Sequence, residues 1–85
     1  MPEISRFYGI IIYMFYREHN PPHFHVKYQE YDAVIDINDE IIHGVLPRRA
    51  LRLVLEWMDL HKDELLVNWR LMEERKPLNK IDPLK

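Results

Sequence analysis

Val45-Leu46-Pro47-Arg48-Arg49-Ala50-Leu51 is the stretch where the chain changes period. Before it, apolar residues alternate with polar ones as on strands; after Pro47 they recur at helical spacing. Pro47 suits the first helical position, where its missing N–H costs nothing. With successive residues about 100° apart, Arg48, Arg49, Arg52, Glu56, Asp59 and Asp63 share an arc of about 100°, while Ala50, Leu51, Leu53, Val54, Leu55, Trp57, Met58 and Leu60 fill about 220° of the remainder. One sheet face does not need so wide a stripe, so a second buried contact is expected, from another helix or from a partner chain. Glu64 to Arg75 carries its own stripe in Leu65, Trp69 and Met72. A single helix over 47–75 would be about 43 Å long, against roughly 30 Å for the diameter of a compact domain of this length. The pattern therefore predicts two helices with a break near His61-Lys62-Asp63 and Asp63 as N-cap.

On the other side of the switch, Phe7 to Tyr16 is aromatic, β-branched and apolar on both faces, which predicts one central strand. His19-Asn20-Pro21-Pro22 is a turn signal. Phe24, Val26 and Tyr28 then alternate with His23, His25 and Lys27, and Tyr31 to Ile37 forms another strand after a tight turn at Gln29-Glu30. Asn38-Asp39-Glu40 is a further turn, followed by a short strand over 41–45. The expected fold is α+β: an antiparallel meander of three or four strands followed by two C-terminal helices packed on one sheet face. It reads as a single domain over 1–85, with the sheet in 1–45, the helices in 46–75 and an extended tail in 76–85 that Leu78 and Ile81 tack to the body.

The chain has 85 residues, 47% hydrophobic and 31% charged, with no low-complexity run, which points to a folded domain. No apolar stretch is long enough to span a bilayer and no basic-then-apolar leader opens the sequence, so no membrane role and a cytoplasmic location are expected. Without cysteine there is no disulfide and no thiolate metal site, so any metal must be held by His and carboxylates. The net charge of −2 argues against a domain that coats nucleic acid. That charge is unevenly spread, because residues 1–44 carry three Lys/Arg against seven Asp/Glu and residues 45–85 carry nine against seven.

Three of the five histidines, His19, His23 and His25, fall within seven residues. On a strand, His23 and His25 share a face about 6.6 Å apart, a spacing that suits two ligands of one ion. His19 across the Pro-Pro turn and Glu30 complete a candidate metal set with them, for a divalent metal such as zinc. The same pair also suits general acid and base work that needs no cofactor, with Lys27 on the same face to stabilise a phosphate and Arg17 just before the turn as a binding residue. The plainer alternative is structural: His19 and Asn20 cap a stiff turn, and His23 and His25 are polar residues on a solvated face. Arg48, Arg49 and Arg52 suit anion binding at a helix start, although Glu56, Asp59 and Asp63 share their arc. Trp57 and Trp69 read as core or partner anchors.

Pro2-Glu3-Ile4-Ser5-Arg6-Phe7-Tyr8-Gly9-Ile10, His19-Asn20-Pro21-Pro22-His23-Phe24-His25-Val26, Leu46-Pro47-Arg48-Arg49-Ala50-Leu51, and Glu56-Trp57 through Asn68-Trp69 together resemble domain of unknown function 4160, a family of small bacterial proteins. The resemblance covers nearly the whole chain. It implies a partner of the type of domain of unknown function 2442, encoded nearby, in a pairing that looks like a toxin-antitoxin module. The leading expectation is a toxin-like protein acting on RNA, a metal-independent endoribonuclease with His23 and His25 as acid and base and Lys27 as stabiliser. The alternative is a non-enzymatic protein-binding module, or a His-based metal-binding protein, working with that partner or as a homo-oligomer.

Overall fold

Gly9 is one of only two glycines, and it falls inside the run that the pattern reads as one strand. In the computed structural model, which describes residues 2–85, the chain reverses there. Tyr8 and Gly9 both take positive φ, 51° and 81°, as a two-residue turn of the I′ type requires at both central positions. The expected central strand over Phe7–Tyr16 is thereby corrected to two strands, β1 (Glu3–Phe7) and β2 (Ile10–Tyr13), paired antiparallel with Phe7 opposite Ile10. The run is apolar on both faces for two separate reasons. Ile10 and Ile12 enter the core, whereas Tyr13 and Phe15 lie against His25.

The remaining strands are β3 (His23–Tyr28), β4 (Tyr31–Asp36) and β5 (Ile42–Gly44), and the sheet order is β1-β2-β3-β4-β5, an antiparallel meander of five strands rather than three or four. Gln29-Glu30 makes the expected tight hairpin between Tyr28 and Tyr31, with Gln29 at φ 55°. At Gly44 only glycine fits, because an added Cβ would lie 2.6 Å from the Asp32 carbonyl oxygen on a backbone with φ 104°.

A single helix follows, α1 (Arg48–Glu73), where two were expected. Pro47 sits one residue before it, and its carbonyl accepts from the Leu51 N–H. No Gly or Pro interrupts the 26 residues, and drawn straight they would reach about 39 Å. The molecule extends 34 Å along its longest principal axis, and the helix bends. It does so at His61, whose φ and ψ of −126° and 22° are non-helical. The length conflict is real, but a local kink relieves it, and Asp63 stays inside the helix instead of capping a second one.

Register places Ile12, Val26 and Ala33 in one row of the inner face, and Phe24, Ile35 and Ile42 in another. α1 closes this face with Val54, Trp57, Met58 and Leu65, all fully buried. The Trp57 ring lies 5.4 Å from Phe7 and 6.0 Å from Phe24. The second contact demanded by the wide helical stripe comes in part from the tail. Ile81 is buried, Leu78 and Leu84 pack on the core, and the Trp57 indole N–H donates to the Asp82 carbonyl. Fully buried Asn68 clamps the tail by donating to the Asn79 carbonyl and accepting from its N–H. The Ile81 N–H donates to the Ile4 carbonyl, so the tail also covers the β1 edge.

Candidate metal centre

The alternation of β3 sends Phe24 and Val26 into the core and His23 and His25 to the opposite face. There His25 stacks on Tyr13 at 5.2 Å and meets the edge of Phe15 at 4.8 Å, and His23 packs against Trp69 at 4.9 Å. Both imidazoles are mostly shielded, with side chains 13% and 16% exposed. Aromatic walls on several sides leave their rings little freedom to reorient.

The β2–β3 loop folds Glu18 over this pair. One carboxylate oxygen lies 3.0 Å from His23 Nε2 and the other 2.5 Å from His25 Nε2. The loop is anchored through its own motif: Asn20 Oδ1 accepts from the Trp69 indole N–H, the Pro22 carbonyl accepts from the Ile37 N–H, and the Pro21 carbonyl lies 2.9 Å from His23 Nδ1. Burial acts to raise the Glu18 carboxyl, but hydrogen bonds and positive charge from His25 and His23 outweigh it and hold the group below the usual carboxylate range.

These contacts determine where the protons sit. A carbonyl oxygen only accepts, so His23 Nδ1 carries hydrogen. In neutral His23 a bare Nε2 lone pair would then face a carboxylate oxygen. That arrangement is repulsive unless a proton or a metal cation lies between the two atoms. An Nδ1–H held by a backbone carbonyl is also the outer contact that orients metal-binding histidines toward their ion. One ligand atom each from Glu18, His23 and His25 falls within a span of 4.8 Å. Tetrahedral zinc ligands about 2.1 Å from the ion would be about 3.4 Å apart, so the three groups fit around an ion after shifts of about an ångström.

The other residues singled out in the sequence are dispersed. His19 and Arg17 are exposed and line a cleft beside Glu18. Lys27 is on the same sheet face, two residues beyond His25, with its Nζ 3.5 Å from Asp32. Glu30 sits in the β3–β4 turn, about 10 Å or more along the strand from His25. Arg49 lines a recess with Tyr8 and Tyr28, at the opposite end of β3 from His23, and exposed Arg48 and Arg52 flank it on α1. Glu18 was missed in the sequence. The available signal was a carboxylate directly preceding His19-Asn20-Pro21-Pro22, positioned for the turn to carry it back onto the histidines.

A family model described as Domain of unknown function (DUF4160) matches residues 9–70, about three quarters of the chain. The chain belongs to this family. The DUF4160 match takes in β2 to β5, the whole Glu18-His23-His25 cluster and most of α1. No curated protein and no solved structure matches the chain. Among the described residues, no helix is long and apolar enough to cross a membrane.

Proposed function

We propose that this DUF4160 chain is a His-based metal-binding protein in which Glu18, His23 and His25 hold one divalent cation, zinc by the chemistry of the donor set. The observation that carries this reading is the pair of Nε2 atoms aimed at one carboxylate while His23 Nδ1 is committed to the Pro21 carbonyl. A proton alone would satisfy His23. The convergence of His25 on the same carboxylate, with both rings braced by aromatic contacts, favours a cation with three ligands. Three protein ligands leave a fourth position open, and a zinc ion there supplies Lewis acidity, as in catalytic rather than closed structural sites. The protein works beside a partner of the type of domain of unknown function 2442 or as a homo-oligomer, and Leu60, 67% exposed on α1, belongs to the surface available for that contact.

Elemental analysis of tag-free protein tests this. Near-stoichiometric zinc, iron or manganese is expected, falling at least tenfold in Glu18→Gln, His23→Ala and His25→Ala variants that remain folded. Protein without a divalent metal, which also fails to take one up on dialysis, overturns the reading.

The second reading is a toxin-like protein that cleaves RNA by acid/base chemistry without metal. The close Glu18–His25 contact favours it, since a carboxylate on one ring nitrogen orients a base. His25 then carries the chemistry with Lys27 beside it, because both nitrogens of His23 are engaged. It predicts growth arrest on expression that His25→Ala abolishes. Arrest that persists in that variant removes the reading.

A further inference from the structure

Beside Glu18, the β2–β3 loop and the end of α1 border an open cleft of about 520 Å³ lined by Arg17, Glu18, His19, Met72, Glu73 and Arg75. A second recess of about 300 Å³, lined by Tyr16, Arg17 and Arg75, adjoins it. These sizes suit a small organic molecule. Among the described residues, neither guanidinium has an acidic group within 4.0 Å.

Both arginines also sit where their backbone favours glycine, at φ 67° and 59°. Arg75 occupies the left-handed residue that ends α1: its N–H donates to the Met72 carbonyl and the Lys76 N–H to the Leu71 carbonyl. Glycine is the usual choice there, since it reaches this conformation without a Cβ penalty. Helix termination therefore explains the conformation of Arg75 and leaves its guanidinium unexplained. Arg17 presents the same combination in the facing loop.

We infer that this cleft is the ligand side of the metal centre and takes a phosphate ester. The inference rests on the metal reading proposed above. Two guanidiniums and a divalent ion outweigh the Glu18 and Glu73 carboxylates, so the loaded cleft is an anion site. Planar forks on Arg17 and Arg75 suit phosphate oxygens, and a cation held by Glu18, His23 and His25 would supply positive charge for a third from the Glu18 side of the cleft. A carboxylate has only two oxygens to offer the three groups. Met72 and Tyr16 line the space left for the organic part of the ester.

Calorimetric titration of the full chain, zinc-loaded and metal-free, with phenyl phosphate and with benzoate provides the test. Phenyl phosphate should bind the zinc form at least tenfold more tightly than the metal-free form, and more tightly than benzoate. Arg17→Gly and Arg75→Gly should each weaken it roughly tenfold or more, with unchanged zinc content and a Tm equal to or a few degrees above that of the parent. A structural role would give the reverse, a lower Tm with affinity retained. Full zinc content with no phenyl phosphate binding, or with benzoate bound as tightly, overturns this inference and leaves the metal centre standing. Failure to load zinc at all overturns the metal centre itself.

Discussion

Glu18 couples the loop to the strand, and its ionisation should be readable in the stability of the metal-free protein. Its carboxyl is held below the usual range in the folded state, so its contribution is complete above the ordinary carboxylate value of the unfolded chain and is lost as pH falls through the lower folded-state value. Urea unfolding of the parent and Glu18→Gln should show the variant less stable at pH 7, with the difference shrinking toward acid. A difference that is constant across that range contradicts the assignment. His23 and His25 could be placed on one face from period 2 alone, because alternation fixes which side of a strand a residue occupies. Glu18 could not, since its contact depends on how the four residues His19 to Pro22, between Glu18 and the regular strand, turn back. The roles of Asn20, Pro21 and Pro22 are likewise set by partners such as Trp69 and Ile37, 49 and 15 residues away.

Period identified the elements better than it located their ends. The sheet-then-helix order follows from the switch at Pro47, and the Gln29-Glu30 hairpin from its flanking alternation. The Tyr8-Gly9 turn was hidden because aromatic and β-branched residues continue through it, and only Gly9 signalled that the backbone leaves the strand region. Helix length predicted a break near His61, but length limits extent and not continuity, so a kink serves as well as a second helix. The two glycines should respond differently to substitution. Gly44→Ala meets both an unfavourable φ and the Asp32 carbonyl and should cost more than about 2 kcal/mol. Gly9→Ala has a 3.6 Å neighbour and only the φ penalty, about 1 kcal/mol. Equal losses in chemical denaturation would contradict this account of the β4–β5 approach.

The radius of gyration is 11.7 Å, close to the roughly 12 Å expected for a compact chain of this length, and the tail contributes by folding back. Asn68→Ala would leave the buried N–H and C=O of the Asn79 contact without their partner and should lower stability by about 2 kcal/mol, a fall in Tm of roughly 10 °C. A change under 2 °C would mean that the tail is dispensable to the body. The wide apolar stripe of α1 was legible in the sequence; what covers it was not, because a ten-residue segment with two prolines has no periodicity to announce a docking surface. The sheet, helix and tail together hold the β2–β3 loop against Trp69, and so hold Glu18 over the two histidines. Zinc-edge X-ray absorption on the tag-free, zinc-loaded chain tests that arrangement most directly. Imidazole scattering from two histidines is expected, with nitrogen and oxygen ligands at about 2.0–2.1 Å. A spectrum without imidazole scattering would contradict the arrangement.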